Sequence, residues 1–124
     1  MKTLPLIDRK PGERCCQPDL VPVLDADEAE ELTNDLDVLA HPVRLQLLAV
    51  LVASEVPVCV CDLEASVPVK QPTVSHHLKL LRAAGLVESE KVGLWAYYHV
   101  RRDELDRLRR RIAAGLGRLG GNHG

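Results

Sequence analysis

Aromatic residues are almost missing from this chain of 124 residues, which has no phenylalanine, one tryptophan and two tyrosines. Its core must therefore be assembled from leucine, valine and alanine, and leucine-rich helices suit that inventory. No run of about 18 apolar residues is present, and the N-terminus lacks the basic-then-apolar layout of a secretion signal. These absences argue against a membrane partner and favour the cytosol. One domain of this length buries only about two-thirds of its unfolded surface, so support from a second subunit is expected.

Cysteine is scarce and paired. All four cysteines lie in two pairs, Cys15 with Cys16 and Cys59 with Cys61. Cytosolic thiols stay reduced, which favours metal binding or redox chemistry over structural disulfides. The Cα atoms of adjacent residues are held at about 3.8 Å, whereas a disulfide prefers about 5.5 Å. Cys15 and Cys16 are therefore better suited to gripping one soft ion than to bridging each other.

The second pair is separated by one residue, so its geometry depends on the backbone. Cys59 and Cys61 point the same way only if the chain between them is extended, because helical geometry would separate them by about 200°. The β-branched stretch at 56–60 favours the extended backbone. Alternatively, Cys61 sits at the cap of a helix that begins near Asp62, with its thiol free to turn toward the N-terminal arm.

Charge is distributed very unevenly along the chain, although the net charge is only −2. No lysine or arginine occurs between Arg14 and Arg44, and eight acidic residues lie in that interval. Residues 70–111 carry ten basic and five acidic residues, a net charge of +5. The second segment therefore has the electrostatic footprint of a surface that contacts phosphates.

Apolar spacing and cap residues predict the order of elements. Residues 1–24 contain four prolines and no helical period, so we expect a flexible arm. A folded domain is expected over 25–118 and a disordered tail over 119–124. Within the domain, the patterns predict helices over about 26–40, 42–53, 62–67 and 71–84, a β-hairpin over 86–100 and a final helix from Asp103. Two short helices followed by a hairpin predict an α+β, mainly α fold of the winged helix-turn-helix type.

Four stretches make this interpretation specific, namely "LAHPVRLQLL", "CVCDL", "QPTVSHHLKLLRAAGLV" and a wing that ends in "YYHV". Over residues 32–105 they closely resemble the ArsR/SmtB family of metal-sensing repressors. The resemblance implies a homodimer whose first and last helices form the interface. It also implies binding to double-stranded operator DNA with an inverted repeat, and release of that DNA by an effector.

The chemistry of the second helix of the motif agrees with a role in reading DNA. Short hydrogen-bonding side chains can approach base edges in the major groove, and this helix carries Gln71, Thr73, Ser75 and His76. Lys79 and Arg82 are better placed for phosphate, as is Lys91 in the wing. His77 is expected to pack or to contact phosphate, and Trp95 either touches the DNA backbone or covers the core.

Within the family, "CVCDL" resembles the thiol sites for arsenite, antimonite, cadmium or lead, and a vicinal pair in an N-terminal arm resembles arsenic(III) responders. Trivalent arsenic takes three thiolates, so the expected ligands are Cys15, Cys16 and Cys59, with Cys61 as a substitute or fourth sulfur. Four sulfurs would instead suit cadmium, lead or tetrahedral zinc.

The chain departs from the family pattern at two places. Glu64 stands where some arsenic sensors have a third cysteine, which raises the importance of the arm. The last helix begins Asp103, Glu104, Leu105 and lacks the Asp-x-His pattern of zinc sensors, so no zinc site is expected there.

A thiol redox switch on the same scaffold remains open as an alternative function. An enzyme built on Ser75 and its neighbouring histidine is disfavoured, because adjacent helical residues do not face each other.

Overall fold

The computed structural model describes residues 20–120, so Cys15 and Cys16 lie outside the described residues, as do 121–124. The elements are α1 (Ala26–Leu39), α2 (Pro42–Ala53), β1 (Val58–Cys59), α3 (Val60–Ala65), α4 (Gln71–Ala83), β2 (Val87–Val92), β3 (Trp95–Val100) and α5 (Arg102–Gly120). The three strands form one antiparallel sheet in the order β1-β3-β2. The predicted α+β, mainly helical winged helix-turn-helix is confirmed.

Local capping explains where the first two helices begin. The Asp25 carboxylate accepts a hydrogen bond from the Glu28 N–H at 2.8 Å, and the Glu28 carboxylate accepts one from the Asp25 N–H at 3.2 Å. This reciprocal pair satisfies two N–H groups that helical geometry leaves without partners. At α2, Pro42 occupies the first turn and the Nδ1 of His41 accepts from the Val43 N–H at 3.2 Å. In the described part of the chain, no single helix could span a membrane, and only α1 and α2 together, bent by 71°, have the length and composition.

The core is aliphatic, as the shortage of aromatic residues requires. Its fully buried side chains come from α2, α3 and α4, and include Leu47, Leu63, Val74, Leu78 and Leu81. The hairpin contributes buried residues only at its base, where Leu86, Val87 and Val100 close the core. The helix-turn-helix and the base of the wing are thus packed as one unit.

Helices α1 and α5 pack side by side, and they approach each other closely at Gly115. A Cβ atom added at Gly115 would lie 2.9 Å from the Cδ1 of Leu32. The Arg111 guanidinium donates hydrogen bonds to both carboxylate oxygens of Asp35, at 3.1 and 3.2 Å. Helix α5 continues to Gly120, so residues 119 and 120, expected in a disordered tail, belong to the helix.

Two arginines tie helix ends together. The Arg44 guanidinium donates to the backbone oxygens of Asp37 and Val38 at 2.9 and 3.0 Å, at the C-terminal end of α1. The Arg102 guanidinium donates to Val52 and Ser54 in the same way at the end of α2. Both arginines satisfy carbonyl groups that a helix end leaves free, and sequence reasoning gave neither of them a role.

Candidate nucleic-acid interface and thiol site

Helix α4 has a buried face and a solvent face. Apolar residues one turn apart, Val74, Leu78 and Leu81, are buried against the rest of the domain. The solvent side carries most of the side chains predicted to contact DNA, and of these Gln71, Ser75, His76, Lys79 and Arg82 are exposed while Thr73 is half-buried. Hydrogen-bonding groups and cations therefore share one accessible face. Their contacts with DNA stay a prediction.

His77 departs from this pattern. Its side chain is only 5 % exposed, and its ring packs against that of His41, with 4.1 Å between the ring centroids. Of the two roles predicted for it, packing fits this position and a phosphate contact does not. His77 follows Val74 by three residues, which is nearly one helical turn of about 3.6 residues, so it lies on the same inner face. No local pattern in the sequence indicates that His41, 36 positions earlier, is its neighbour.

The surroundings of His77 favour the neutral imidazole. Burial lowers its pKa, and the positive charges of His41, Arg44 and His76 lower it further. Its Nδ1 is buried and has no hydrogen-bond partner among residues 20–120. The Nδ1 of His41 is already used as an acceptor for the Val43 N–H. A proton on the His77 ring would therefore add charge where the surroundings are already cationic.

The thiol pair lies at the start of α3. Cys59 ends β1 with extended backbone angles (φ −63°, ψ 140°) and is the N-cap of α3, whereas Cys61 is already inside the helix. The helix begins at Val60 instead of near Asp62, so the expectations that the pair lies in one extended stretch, or that Cys61 is the cap, are both wrong. The Sγ atoms nevertheless approach to 2.9 Å, because the change from extended to helical backbone at Val60 brings the two side chains to the same side.

Both thiols are free and differ in accessibility. Cys59 is half-buried and Cys61 is exposed. The hydrogen bond to Cys59 is the main cause that raises the pKa of Cys61, followed by desolvation and the negative charges of Cys59 and Asp62. The Cys61 thiol therefore gives up its proton less readily than an ordinary thiol, and a cation that binds thiolate must displace that proton.

The described residues supply two sulfurs and no more to such a cation. Within residues 20–120, no group of three His, Cys, Asp or Glu side chains has the arrangement to hold a metal ion. Glu64, half-buried one turn further along α3, does not complete a group with the thiols. A complete ligand set would need donors from outside the described residues or from another molecule.

The position of the thiol pair connects it to both parts of the motif. Cys59 is paired with Tyr97 of β3, and Val58 with Tyr98, so β1 is joined to the wing. Helix α3, which Cys59 caps, packs against α4. A change in the backbone at Cys59 therefore acts on the wing strand and on the first helix of the helix-turn-helix.

Comparison with known proteins identifies the domain. Residues 41–89 match the helix-turn-helix model described as bacterial regulatory protein, arsR family. A transcriptional repressor SmtB homolog of Synechocystis sp. is 36% identical over 91 residues, which cover 73% of this chain and 67% of the relative. The chain belongs to the ArsR family.

Other ArsR-family relatives agree in sequence and in structure. The putative arsenical resistance operon repressor ArsR2 of Halobacterium salinarum is 42% identical over 74 residues, covering 57% of this chain and 62% of that protein. The crystal structure of a possible transcriptional regulator for arsenical resistance has a TM-score of 0.60 at 31% identity, and covers 73% of this chain and 96% of its own. The repressor BigR from Xylella fastidiosa has a TM-score of 0.55 at 32% identity, covering 68% and 85%. This ArsR-family chain is accordingly a DNA-binding transcriptional repressor with a winged helix.

The part that matches the ArsR family model contains most of the candidate site. It begins at His41 and ends inside β2, so it includes the thiol pair at Cys59 and Cys61 and the whole of α4. Lys91, the hairpin turn at Gly93 and α5 lie beyond it. The relatives reported above carry the names of transcriptional regulators.

Proposed function

We propose that this ArsR-family protein is a homodimeric repressor that arsenic(III), and also antimony(III), releases from its operator by binding to thiolates. The observation that carries the proposal is the 2.9 Å approach of the Cys59 and Cys61 sulfurs at the start of α3. Relatives named for arsenical resistance in Halobacterium salinarum and Staphylococcus xylosus support the choice of effector. A repressor of bacterial type works on DNA in the cytoplasm, which is the proposed location.

The proposed ligand set joins this pair to the N-terminal cysteines. Arsenic(III) takes three thiolates, and we assign them to Cys15, Cys16 and Cys59, with Cys61 as a substitute or a fourth sulfur. Residues 17–24, if extended, span about 26 Å, so the arm can reach the thiol pair of its own subunit or of the other. Soft sulfur donors match a soft metalloid.

The proposed dimer is supported by an apolar groove of about 420 Å³ between α2 and α5. Its walls are aliphatic, with Leu39, Leu45, Leu48, Ala49, Val52, Leu105 and Ile112, and Arg109 lies at its edge. Helix α1 carries six carboxylates and no base, whereas α5 carries six arginines and three carboxylates. A two-fold dimer buries the same patch on both subunits. Helices α2 and α5 offer the apolar area for such a patch, and α1 and α5 carry opposite charges.

Release of the operator follows from the position of the two thiols at the start of α3. Cys59 caps α3 and Cys61 lies in its first turn, so an ion that draws both sulfurs toward the arm changes the start of the helix-turn-helix. Two recognition helices in a dimer must lie about 34 Å apart to enter successive major grooves. A shift that disfavours this spacing lowers operator affinity, typically by about 5- to 150-fold.

The test measures operator affinity for the wild type and for each cysteine changed to serine, with and without arsenite. We expect C15S, C16S and C59S to bind the operator as the wild type does and to lose the response to arsenite. C61S should keep a weakened response. An unchanged response in C59S, or in the double variant C15S/C16S, would contradict the proposed ligand set.

Divalent ions are the alternative on the same cysteines. A four-sulfur site suits cadmium, lead or zinc, and one relative is a SmtB homolog. Titrating the reduced protein on its operator with arsenite and with cadmium ranks the two. Release by cadmium at concentrations where arsenite has no effect would assign the site to a divalent ion.

The short sulfur contact also favours a second candidate, a thiol redox switch. Peroxide can oxidise two neighbouring thiols to a disulfide, in which case the S–S bond forms, the two thiol protons and two electrons pass to peroxide, and peroxide is reduced to water. Operator release by peroxide, reversed by dithiothreitol, and no release by arsenite would support the switch over the metalloid sensor.

A further inference from the structure

The outer face of the three-stranded sheet carries an aromatic residue beside the thiol pair. Side chains alternate between the two faces of a strand, and the buried Val87 and Val100 mark the inner face of the wing. The outer face therefore carries Glu88, Glu90, Val92, Trp95, Tyr97 and His99. Tyr97 lies directly opposite Cys59 of β1 and Glu90 of β2, so Cys59 and Tyr97 are neighbours on this face.

Tyr97 is more enclosed than the other large aromatic residue on its face of β3. Trp95 lies beyond the end of β1, pairs with Val92 of β2 and is 54 % exposed. Of the two roles expected for Trp95, covering the core is therefore wrong. Tyr97 has a paired residue on both sides and is half-buried, and α3 packs against β3. Cys59 and the start of α3 thus lie on one side of Tyr97.

The spacing of paired strands brings the Tyr97 ring within reach of the Cys59 sulfur. Directly opposite residues of an antiparallel pair have Cβ atoms about 4.5–5.5 Å apart, and a sulfur about 5 Å from an aromatic ring makes a favourable contact. Among residues 20–120, the Cys59 sulfur has one hydrogen-bond partner, the Cys61 thiol. The rotamer of Cys59 therefore depends on packing against its neighbour across the sheet.

We propose that Tyr97 is a positioning residue of the thiol site, whose ring holds the Cys59 sulfur beside that of Cys61. An effector that takes both sulfurs then finds them already close together. Tyr97 belongs to the central strand of the sheet, so a displacement of the Cys59 sulfur also acts on the wing. The effect of Tyr97 on operator release rests on the proposed function of the thiol pair.

Three variants separate the ring from its hydroxyl and from the rest of the sheet. Y97F keeps the ring, whereas Y97L keeps an apolar side chain and removes the ring. E90A alters the exposed residue on the other side of Tyr97 and is the matched control. Tyr97 and Glu90 are not among the predicted DNA contacts, so all three variants should bind the operator as the wild type does in the absence of effector.

The first measurement tests the position of the sulfurs without any metalloid. In the full chain with C15S/C16S, Cys59 and Cys61 are the only thiols, and the protein is equilibrated with reduced and oxidised glutathione. The Cys59–Cys61 bond forms, the S–S bond of oxidised glutathione breaks, and the two thiol protons pass to two molecules of reduced glutathione. Alkylation of the remaining thiols and mass spectrometry give the equilibrium constant.

We expect Y97L to lower this constant about tenfold, the effect of losing one sulfur–aromatic contact, and Y97F and E90A to keep the value of the C15S/C16S parent. An unchanged constant in Y97L would overturn the inference. An equal fall in Y97F would overturn the role of the ring, because phenylalanine retains it.

The second measurement follows operator release by arsenite in chains that retain all four cysteines. Y97L should need about tenfold more arsenite for half release, and Y97F and E90A should need the wild-type concentration. A wild-type requirement in Y97L would overturn the role of Tyr97 in the response. Absence of arsenite release in the wild type, together with the expected fall of the glutathione constant in Y97L, would overturn the proposed function and support the positioning role.

Discussion

His77 is the residue whose chemistry the fold changes most. Its imidazole lies against that of His41 and near the Arg44 guanidinium, with no carboxylate among the groups that shift its pKa. A histidine on the recognition helix of a DNA-binding protein would ordinarily be assigned to phosphate or bases. Here the helix presents His76 to solvent and buries its neighbour, so adjacent residues of the same type have different roles.

The lowered pKa of His77 predicts acid sensitivity. In the unfolded chain its pKa is about 6.5, so below that pH the unfolded state takes up a proton that the folded state does not. Stability is therefore full above about pH 6.5 and falls as the pH drops from there toward the folded pKa, by at most about 1.4 kcal/mol per pH unit. Urea unfolding between pH 7.5 and 5 at fixed protein concentration measures this slope.

The matched variants for this prediction are H77L and H76L. H77L keeps an apolar side chain against His41 and should have a shallower loss of stability with acid than the wild type. H76L alters the exposed neighbour, whose charge is the smallest of the causes that lower the pKa of His77, and should keep a slope close to that of the wild type. Equal slopes in H77L and the wild type would show that His77 is not the group responsible.

At the scale of elements, the contact of α1 with α5 is set by a glycine in mid-helix. Glycine in a helix interior is less favourable than alanine by about 1 kcal/mol. At Gly115 this cost is offset because the missing side chain lets Leu32 pack closely. Gly117, two residues later, has open space where a Cβ would lie. The two positions therefore separate backbone propensity from packing within the same helix.

We expect G115A and G117A to change stability in opposite directions. G117A should raise the free energy of unfolding by up to about 1 kcal/mol. G115A should lower it by about 1 kcal/mol, because moving the Leu32 side chain costs more than the alanine contributes to the helix. Thermal and urea unfolding measure both, and a stabilised G115A would mean that Leu32 moves freely and that this contact does not set the helix spacing.

At the scale of the molecule, the apolar groove between α2 and α5 is the surface on which the proposed dimer depends. A monomer would read one half-site, whereas a two-fold dimer reads both halves of an inverted repeat. L45K places a cation beside Arg109 in a groove that the proposed dimer buries. Leu45 is exposed in the single chain, so the fold of the subunit should be unaffected.

We therefore expect L45K to sediment as a monomer with an unchanged circular dichroism spectrum and to lose most of its operator affinity. V56K, which adds the same charge at an exposed site outside the groove, is the control and should stay dimeric. A dimeric L45K that binds the operator normally would exclude the groove from the interface.

Much of this protein is determined by its sequence alone, because capping, helical period and turn residues act over about four positions. Those signals predicted the helix starts at Ala26 and Pro42, the hairpin around Gly93 and the solvent face of α4. The family stretches added the fold class and DNA binding. The disordered tail was predicted to begin at residue 119, which is too early, because α5 continues as a helix to Gly120.

Only the tertiary structure decided which groups meet across the chain. It brought His77 against His41, the Arg102 guanidinium to the end of α2, and Trp95 out into solvent. It also began α3 at Val60, directly after the two residues of β1 that pair with β3. The change from extended to helical backbone at that point brings the Cys59 and Cys61 sulfurs together. The physical reason is range: a local pattern gives the polarity of each face, but burial and pairing between distant segments select the neighbour of each face.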